Sequence, residues 1–203
     1  MRVSREQAAR NKERVVAVAA RLFGERGFDG VGIEDVMAGA GLTRGGFYKS
    51  FPSKDGLVET ACRHAVERSG RTWDRLLART DDPLGTLLES YLSAAHRDDP
   101  AAGCPYAALG SEARRRQPSV RQAFGRGIAA AIGKLAAIMP ADAEGQRRER
   151  ALAALAGMVG ALVLARAVDD PALSDEILAS TRRALGAAGR GESPADIPAR
   201  AAR

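Results

Sequence analysis

Residues 41–54 read G-L-T-R-G-G-F-Y-K-S-F-P-S-K. This stretch predicts a tight turn, a very short helix and the start of a second helix. Thr43 stands where a helix N-cap is needed, since a threonine hydroxyl accepts from an otherwise unpaired amide of the first turn. Phe47 and Phe51 lie four residues apart and share one helical face. Arg44, Tyr48 and Lys49 fall on the other side. A helix pinned by two buried rings, with basic and phenolic groups facing outward, suits insertion into a DNA groove.

The flanking residues extend this pattern. Ser4 and Gln7 have the spacing of a capping box, which predicts a helix start. Val15, Ala19, Leu22 and Phe23 mark one face of that helix. Gly27 is suited to close it, because glycine readily takes positive φ. Phe23 and Phe28 then occupy the two positions whose apolar contact accompanies a Schellman motif. A second helix is expected over roughly 33–40, with Ile33, Val36, Met37 and Ala40 inward, and Gly39 and Gly41 permit the turn that follows. Helix, helix, glycine turn and short helix make a helix-turn-helix unit, its motif at about 32–51, packed under a long first helix.

Through "AARLFGERGFDGVGIEDVMAGAGLTRGGFYKSFPSKDGL" the chain resembles the TetR family of bacterial transcriptional repressors. The features shared are L-F-x-x-x-G-F, the A-G turn, F-Y-x-x-F and S-K-x-x-L, in that order. Two positions depart from the family pattern. Ser50 stands where the family often has histidine, which weakens one backbone contact. The Gly45-Gly46 pair lowers helix propensity by about 1 kcal/mol per residue and removes two base-reading side chains. The resemblance implies DNA-facing positions at Thr43, Arg44, Gly45, Tyr48, Lys49 and Lys54. Thr43, Tyr48 and Lys54 would hold phosphates, Lys54 adding its charge to the amide dipoles of a helix start. Arg44 would reach a guanine edge, and Lys49 suits either role.

Composition agrees with a soluble helical protein. The 203 residues are 45% hydrophobic, and no strand-like alternation of any length occurs, so the fold class expected is all-α, with about nine helices. Net charge is +6, which alone does not identify a nucleic-acid binder. Residues 1–55 carry 10 basic and 7 acidic side chains, and the other 148 carry 21 and 18. Positive charge is therefore denser where phosphate contacts are wanted. Two cysteines, Cys62 and Cys104, without a signal peptide point to a reducing cytoplasm. The longest apolar run, Ala151–Ala165, has 15 residues, short of the roughly 20 a membrane span needs. No zinc-ligand spacing, phosphate loop or nucleophile elbow occurs, so neither a cofactor nor an enzymatic role is expected.

Three regions are expected: a DNA-binding domain at 1–55, a ligand-binding and dimerisation domain at 56–188, and a disordered tail at 189–203. Ser53 caps a long helix carrying Leu57, Ala61, Ala65, Trp73, Leu76 and Leu77. That helix belongs to both domains and can transmit a change between them. Asp82-Pro83 opens the next helix, with Leu84, Leu87, Leu88, Tyr91, Leu92 and Ala95 inward. One helix follows Pro105. Another follows Pro118, with Val120, Phe124, Ile128, Ile132, Leu135 and Ile138 inward. The last two are expected at about 144–169 and 173–187. The helix containing "ALAALAGMVGALVLARAVDD" is apolar on more than one face, which predicts a two-fold homodimer through these last helices. The family resemblance implies the same interface. A dimer would carry two recognition helices about 34–36 Å apart and read a palindromic operator.

In the resembling family the second domain encloses a pocket for a small-molecule inducer. Trp73, Tyr91, Cys104, Tyr106, Phe124, Met158 and Leu162 are the candidate lining residues. Cys104, in "GCPYAALGSE" before a predicted helix, has the setting of a low-pKa thiol, which leaves open a sensor of oxidants or electrophiles. An enzyme using Cys104 as nucleophile lacks an evident base, since His64 and His96 show no motif. A protein-binding adaptor that has lost DNA binding is a further alternative, drawing on Ser50 and the paired glycines.

Overall fold

The computed structural model describes residues 4–140 and 144–189, and every regular element among them is helical. The described residues form nine α-helices and one 3₁₀ helix. Their residues fall into two compact units. The first holds the chain up to Ser69 together with Asp99–Gly127; the second holds Gly70–Asp98 and the chain from Ile128 onward. A division of roles at residue 55 therefore does not coincide with the division into compact units. The tail expected from Gly189 lies, beyond that residue, outside the described residues.

In the first unit, α1 (Arg5–Arg26) begins at Ser4, whose Oγ accepts from the Gln7 N–H at 3.1 Å. The expected capping box is only half formed. The Gln7 Oε1 that would accept from the Ser4 N–H accepts from Arg10 Nη2 at 3.0 Å instead, while Gln7 Nε2 donates to Asn11 Oδ1 at 2.9 Å. Val15, Ala19, Leu22 and Phe23 are buried along one face, as the periodicity predicts. Gly27 ends the helix at φ 72°, ψ 172°, and its N–H donates to the Phe23 carbonyl at 2.9 Å. The Phe23 and Phe28 rings meet edge-on, 5.5 Å between centroids. The Gly27 bond is the single 5→1 closure, and the 6→1 bond of a Schellman motif does not form, because the Phe28 N–H donates instead to Glu112 Oε2 at 3.0 Å.

Helix α2 (Ile33–Gly39) starts with Asp35 Oδ2 accepting from the Gly32 N–H at 2.7 Å. It buries Val36 and Met37, with Ala40 beyond its end, and Gly41 makes the turn at φ 65°. A 3₁₀ helix, Arg44–Lys49, follows, and then the first half of α3 (Lys54–Leu77). The core of this unit joins those segments to a distant part of the chain. Leu109 and Ala113 of α6 (Pro105–Ala113) and Val120 and Phe124 of α7 (Pro118–Ile138) pack with Phe23, Phe28, Phe47, Phe51 and Leu57.

The second unit contains the later turns of α3 and α7. Its other helices are α4 (Pro83–Tyr91), α5 (Ala94–Asp98), α8 (Glu144–Ala167) and α9 (Pro171–Gly189). Asp82 caps α4, its Oδ1 accepting from the Gly85 N–H at 3.0 Å with Pro83 in the first turn. The helix expected to carry its apolar face through Ala95 ends at Tyr91; Leu92 beyond it is still buried, but Ala95 is exposed. Ser93 causes the restart, its Oγ taking the His96 N–H at 3.2 Å as a new helix opens. Ile128, expected inward on α7, is 37% exposed, while its neighbour Gly127 is buried.

Arginines tie α5 to the last two helices. Arg166 donates to the carbonyls of His96 and Arg97 at 2.7 and 2.9 Å. Arg97 reaches Ser174 and Asp175 at 3.0 and 2.6 Å. Segment Gln146–Ala167 is longer than the apolar run within it, and by length and composition it could cross a membrane. A core helix meets the same test, and this one buries Ala151, Ala154, Leu155, Met158, Ala161, Leu162 and Ala165.

Candidate nucleic-acid interface

The short helix is held from below by its rings. Phe47 and Phe51 are buried and stacked, centroids 5.6 Å apart and planes at 29°. The Phe51 N–H donates to the Phe47 carbonyl at 3.0 Å, so the two positions keep α-type spacing although the 3₁₀ helix ends between them. Lys12 of α1 lies over the Phe51 ring, 5.5 Å from its centroid.

Thr43 holds the N-cap position with extended backbone, but its hydroxyl makes no capping bond. The expectation of a side-chain cap is corrected by the helix type. In a 3₁₀ turn the capping residue's own carbonyl takes the third amide, and here Gly46 N–H donates to the Thr43 carbonyl at 3.0 Å. Gly45-Gly46 account for the tighter form, since two glycines give little support to an α-helical turn.

The outward groups are those the spacing predicts. Arg44, Gly45, Tyr48 and Lys49 are exposed, Tyr48 at 62% with its ring edge-on to Phe47, 5.1 Å between centroids. Arg44 Nη1 donates to Glu34 Oε1 of α2 at 2.5 Å. Lys54 is the first residue of α3 and is half-buried, behind Ser53, whose Oγ accepts from the Gly56 N–H at 3.1 Å. A groove of about 760 Å³ runs beside the short helix, with Asn11, Met37, Leu42, Thr43, Gly45 and Lys49 in its walls. Polar groups of α1 and of the short helix therefore share one concavity.

The turn between α1 and α2 is gripped by the end of α6 and the residues after it. Besides the Glu112 bond to Phe28, Arg116 Nη2 donates to Asp29 Oδ1 at 2.5 Å, and its guanidinium lies 5.0 Å from the Phe28 ring centre. Gln117 Nε2 donates to Asp55 Oδ2 at 3.2 Å, next to Lys54. The Arg116 hydrogen bond holds the Asp29 carboxyl below its ordinary value of 3.8; charge from Arg116, Lys54 and Arg115 adds to this, against a smaller opposing effect of burial. Sequence reasoning missed Glu34, Glu112 and Arg116. The last two act across 84 and 87 residues, a separation no local pattern signals.

The expected inducer residues divide between the two units. Tyr106 and Phe124 meet edge-on at 5.8 Å in the first, where Cys104 is also buried. Trp73 and Tyr91 meet at 6.2 Å in the second, where Met158 and Leu162 are fully buried. Cys104 is the N-cap residue of α6, as expected, but only 3% of its surface is exposed. The thiol therefore lacks the solvent exposure of a reactive helix-start cysteine. Burial also pushes the Cys62 thiol up to about 12 and the Tyr106 hydroxyl above its ordinary 10.0, with the charge of Cys104 adding to the latter.

The sequence model of the bacterial regulatory proteins of the tetR family matches residues 15–61, the segment from mid-α1 to early α3. Rv0196, an uncharacterized HTH-type transcriptional regulator of Mycobacterium tuberculosis, is 30% identical over 171 residues, which cover 76% of this chain and 84% of that protein. The HTH-type transcriptional repressor KstR2 of Mycolicibacterium smegmatis is 26% identical over 95 residues, 45% of this chain and 46% of its own. Among solved structures, a TetR transcriptional regulator from Chloroflexus aurantiacus superposes with a TM-score of 0.74 at 25% identity, covering 89% of this chain and 96% of that one. With the helix-turn-helix geometry described above, this likeness across most of both chains means that the protein belongs to the TetR family of bacterial transcriptional regulators.

Proposed function

We propose that the protein is a cytoplasmic repressor that binds a palindromic operator as a two-fold dimer and is released by a small molecule. The observation that carries the reading is the short helix: its two rings are buried while Arg44, Tyr48 and Lys49 face outward. Arg44 reads a guanine edge, and Thr43, Tyr48 and Lys54 engage phosphates, with Lys49 between the two roles. The name of KstR2 as a repressor supports the direction of regulation.

The dimer is supported by the outer surface of α8. Leu152, Val163 and Leu164 are 46%, 42% and 58% exposed there, and Leu173 at the start of α9 is 42% exposed. Exposed apolar side chains on these last two helices suit a self-complementary interface. Release requires only that the inducer prefer a conformation that fits DNA poorly, a coupling typically of about 1–3 kcal/mol. The candidate lining residues are taken unit by unit: Trp73, Tyr91, Met158 and Leu162 lie in the second, and Cys104, Tyr106 and Phe124 in the first.

The test is binding to a duplex that the protein itself selects from a randomised pool. Arg44→Ala relaxes preference at one base pair by about 1–3 kcal/mol, whereas Lys54→Ala weakens all sequences alike and flattens the salt dependence. Undiminished specific binding by the Arg44→Ala, Lys54→Ala double variant would overturn the proposal.

A further inference from the structure

We infer that Glu34 is a specificity-determining positioning residue, whose carboxylate holds the Arg44 guanidinium ready for a base edge and keeps it from indiscriminate phosphate pairing. The inference rests on the reading of Arg44 as the base-contacting residue. Glu34 is the second residue of α2 and Arg44 the first of the 3₁₀ helix, so the pair bridges the two elements of the helix-turn-helix. The contact, Nη1 to Oε1 at 2.5 Å, joins side chains that are 67% and 71% exposed. Exposed pairs of this kind contribute little to folding, so stability does not account for it.

What surrounds Arg44 gives the pair its task. A Cβ at Gly45 would meet no atom within 4 Å, and one at Gly46 would touch only Met37 Cε, at 3.6 Å. The glycines therefore provide no wall against which a long side chain could rest. An arginine in such a place spreads over many rotamers and loses that freedom on binding. The carboxylate supplies the restraint in advance. Because it takes Nη1, the Nη2 and Nε donors stay parallel and available, as a bidentate contact to guanine O6 and N7 requires. The acid also has a repulsive effect. On a surface that approaches phosphates, a carboxylate beside the guanidinium offsets its charge and weakens contacts that carry no sequence information.

Glu34→Gln, Glu34→Asp, Arg44→Ala and the Glu34→Gln, Arg44→Ala double variant are compared on the selected duplex, on its single-base variants and on a random duplex of equal length. In Glu34→Gln the random duplex binds about 3–10-fold more tightly at low salt, and the logarithmic salt slope steepens by about 0.9, one further phosphate. Preference at the base pair read by Arg44 falls several-fold. Glu34→Asp keeps the charge but shortens the reach, so it lowers that preference at unchanged slope. Thermal midpoints of both single Glu34 variants stay at the wild-type value, which a merely structural role would not allow. If Arg44→Ala relaxes the preference but Glu34→Gln changes neither slope nor preference, the role of Glu34 is overturned and the reading of Arg44 stands. If Arg44→Ala leaves the preference intact, both fall. Glu34→Gln effects that persist without Arg44 overturn the inference as well.

Discussion

Replacing Gly27 by alanine probes how the turn between α1 and α2 is held. At φ 72° and ψ 172° Gly27 occupies a region that costs a residue with a Cβ about 1–3 kcal/mol. The added carbon would lie 2.6 Å from Glu112 Oε1 and 3.3 Å from its Cδ, so the carboxylate must withdraw. Its hydrogen bond from the Phe28 N–H is then lost, and bonds to charged acceptors contribute about 1.5–3 kcal/mol. Together the two effects amount to about 2.5–6 kcal/mol, a large share of the roughly 5–15 kcal/mol that holds a native protein. Urea unfolding followed by far-ultraviolet circular dichroism measures the loss as a lower midpoint at unchanged slope. Glu112→Ala alone should cost about 1.5–3 kcal/mol for the same bond. The double variant should then lose less than the two single losses combined, because both remove one shared interaction. A Gly27→Ala midpoint equal to wild type refutes the strain and the contact together. Strict additivity in the double variant refutes the shared bond.

Gly45→Ala is the contrasting case: it has ordinary φ and open space, so thermal unfolding should show a gain of about 0.4–1 kcal/mol rather than a loss. Leu152→Glu with Leu164→Glu should convert the proposed dimer to monomers in sedimentation velocity while helical content is retained, both side chains being exposed. A dimer that persists puts the interface elsewhere. Alkaline stability follows from Cys62. Its folded pKa of about 12 lies above the ordinary 9.0, so the folded state holds the proton more tightly. That stabilisation is complete below pH 9 and drains away as pH climbs toward 12. Denaturant midpoints across that range should fall in wild type and fall less in Cys62→Ala, with the raised Tyr106 hydroxyl accounting for part of the remainder.

Much of this was legible in the chain because it is local. The 3.6-residue period placed Val15, Ala19, Leu22 and Phe23 inward, and the Phe47–Phe51 spacing placed Arg44, Tyr48 and Lys49 outward. Pro83, Pro105 and Pro118 each mark a true helix start. What failed depends on competition for a hydrogen bond. Thr43 lost its capping role to its own carbonyl, and the Phe28 amide was taken by Glu112. Ser93 interrupted an apolar period that otherwise continued through Ala95. Arg116 on Asp29 and Glu34 on Arg44 were invisible for another reason: charges at the surface obey no periodicity, and only the folded chain brings them together.

The bond from Phe28 to Glu112 spans 84 positions, and this bears on how the protein is made. At roughly 5–20 residues per second on the ribosome, about 4–17 s separate synthesis of the two partners. During that interval the nascent reader domain lacks Leu109, Ala113, Val120 and Phe124, so its rings have no complete shelter. The newborn segment must wait, exposed to chaperones and proteases, until the strip that completes it leaves the exit tunnel. The helix-turn-helix unit thus gains its full core only once Phe124 has been translated.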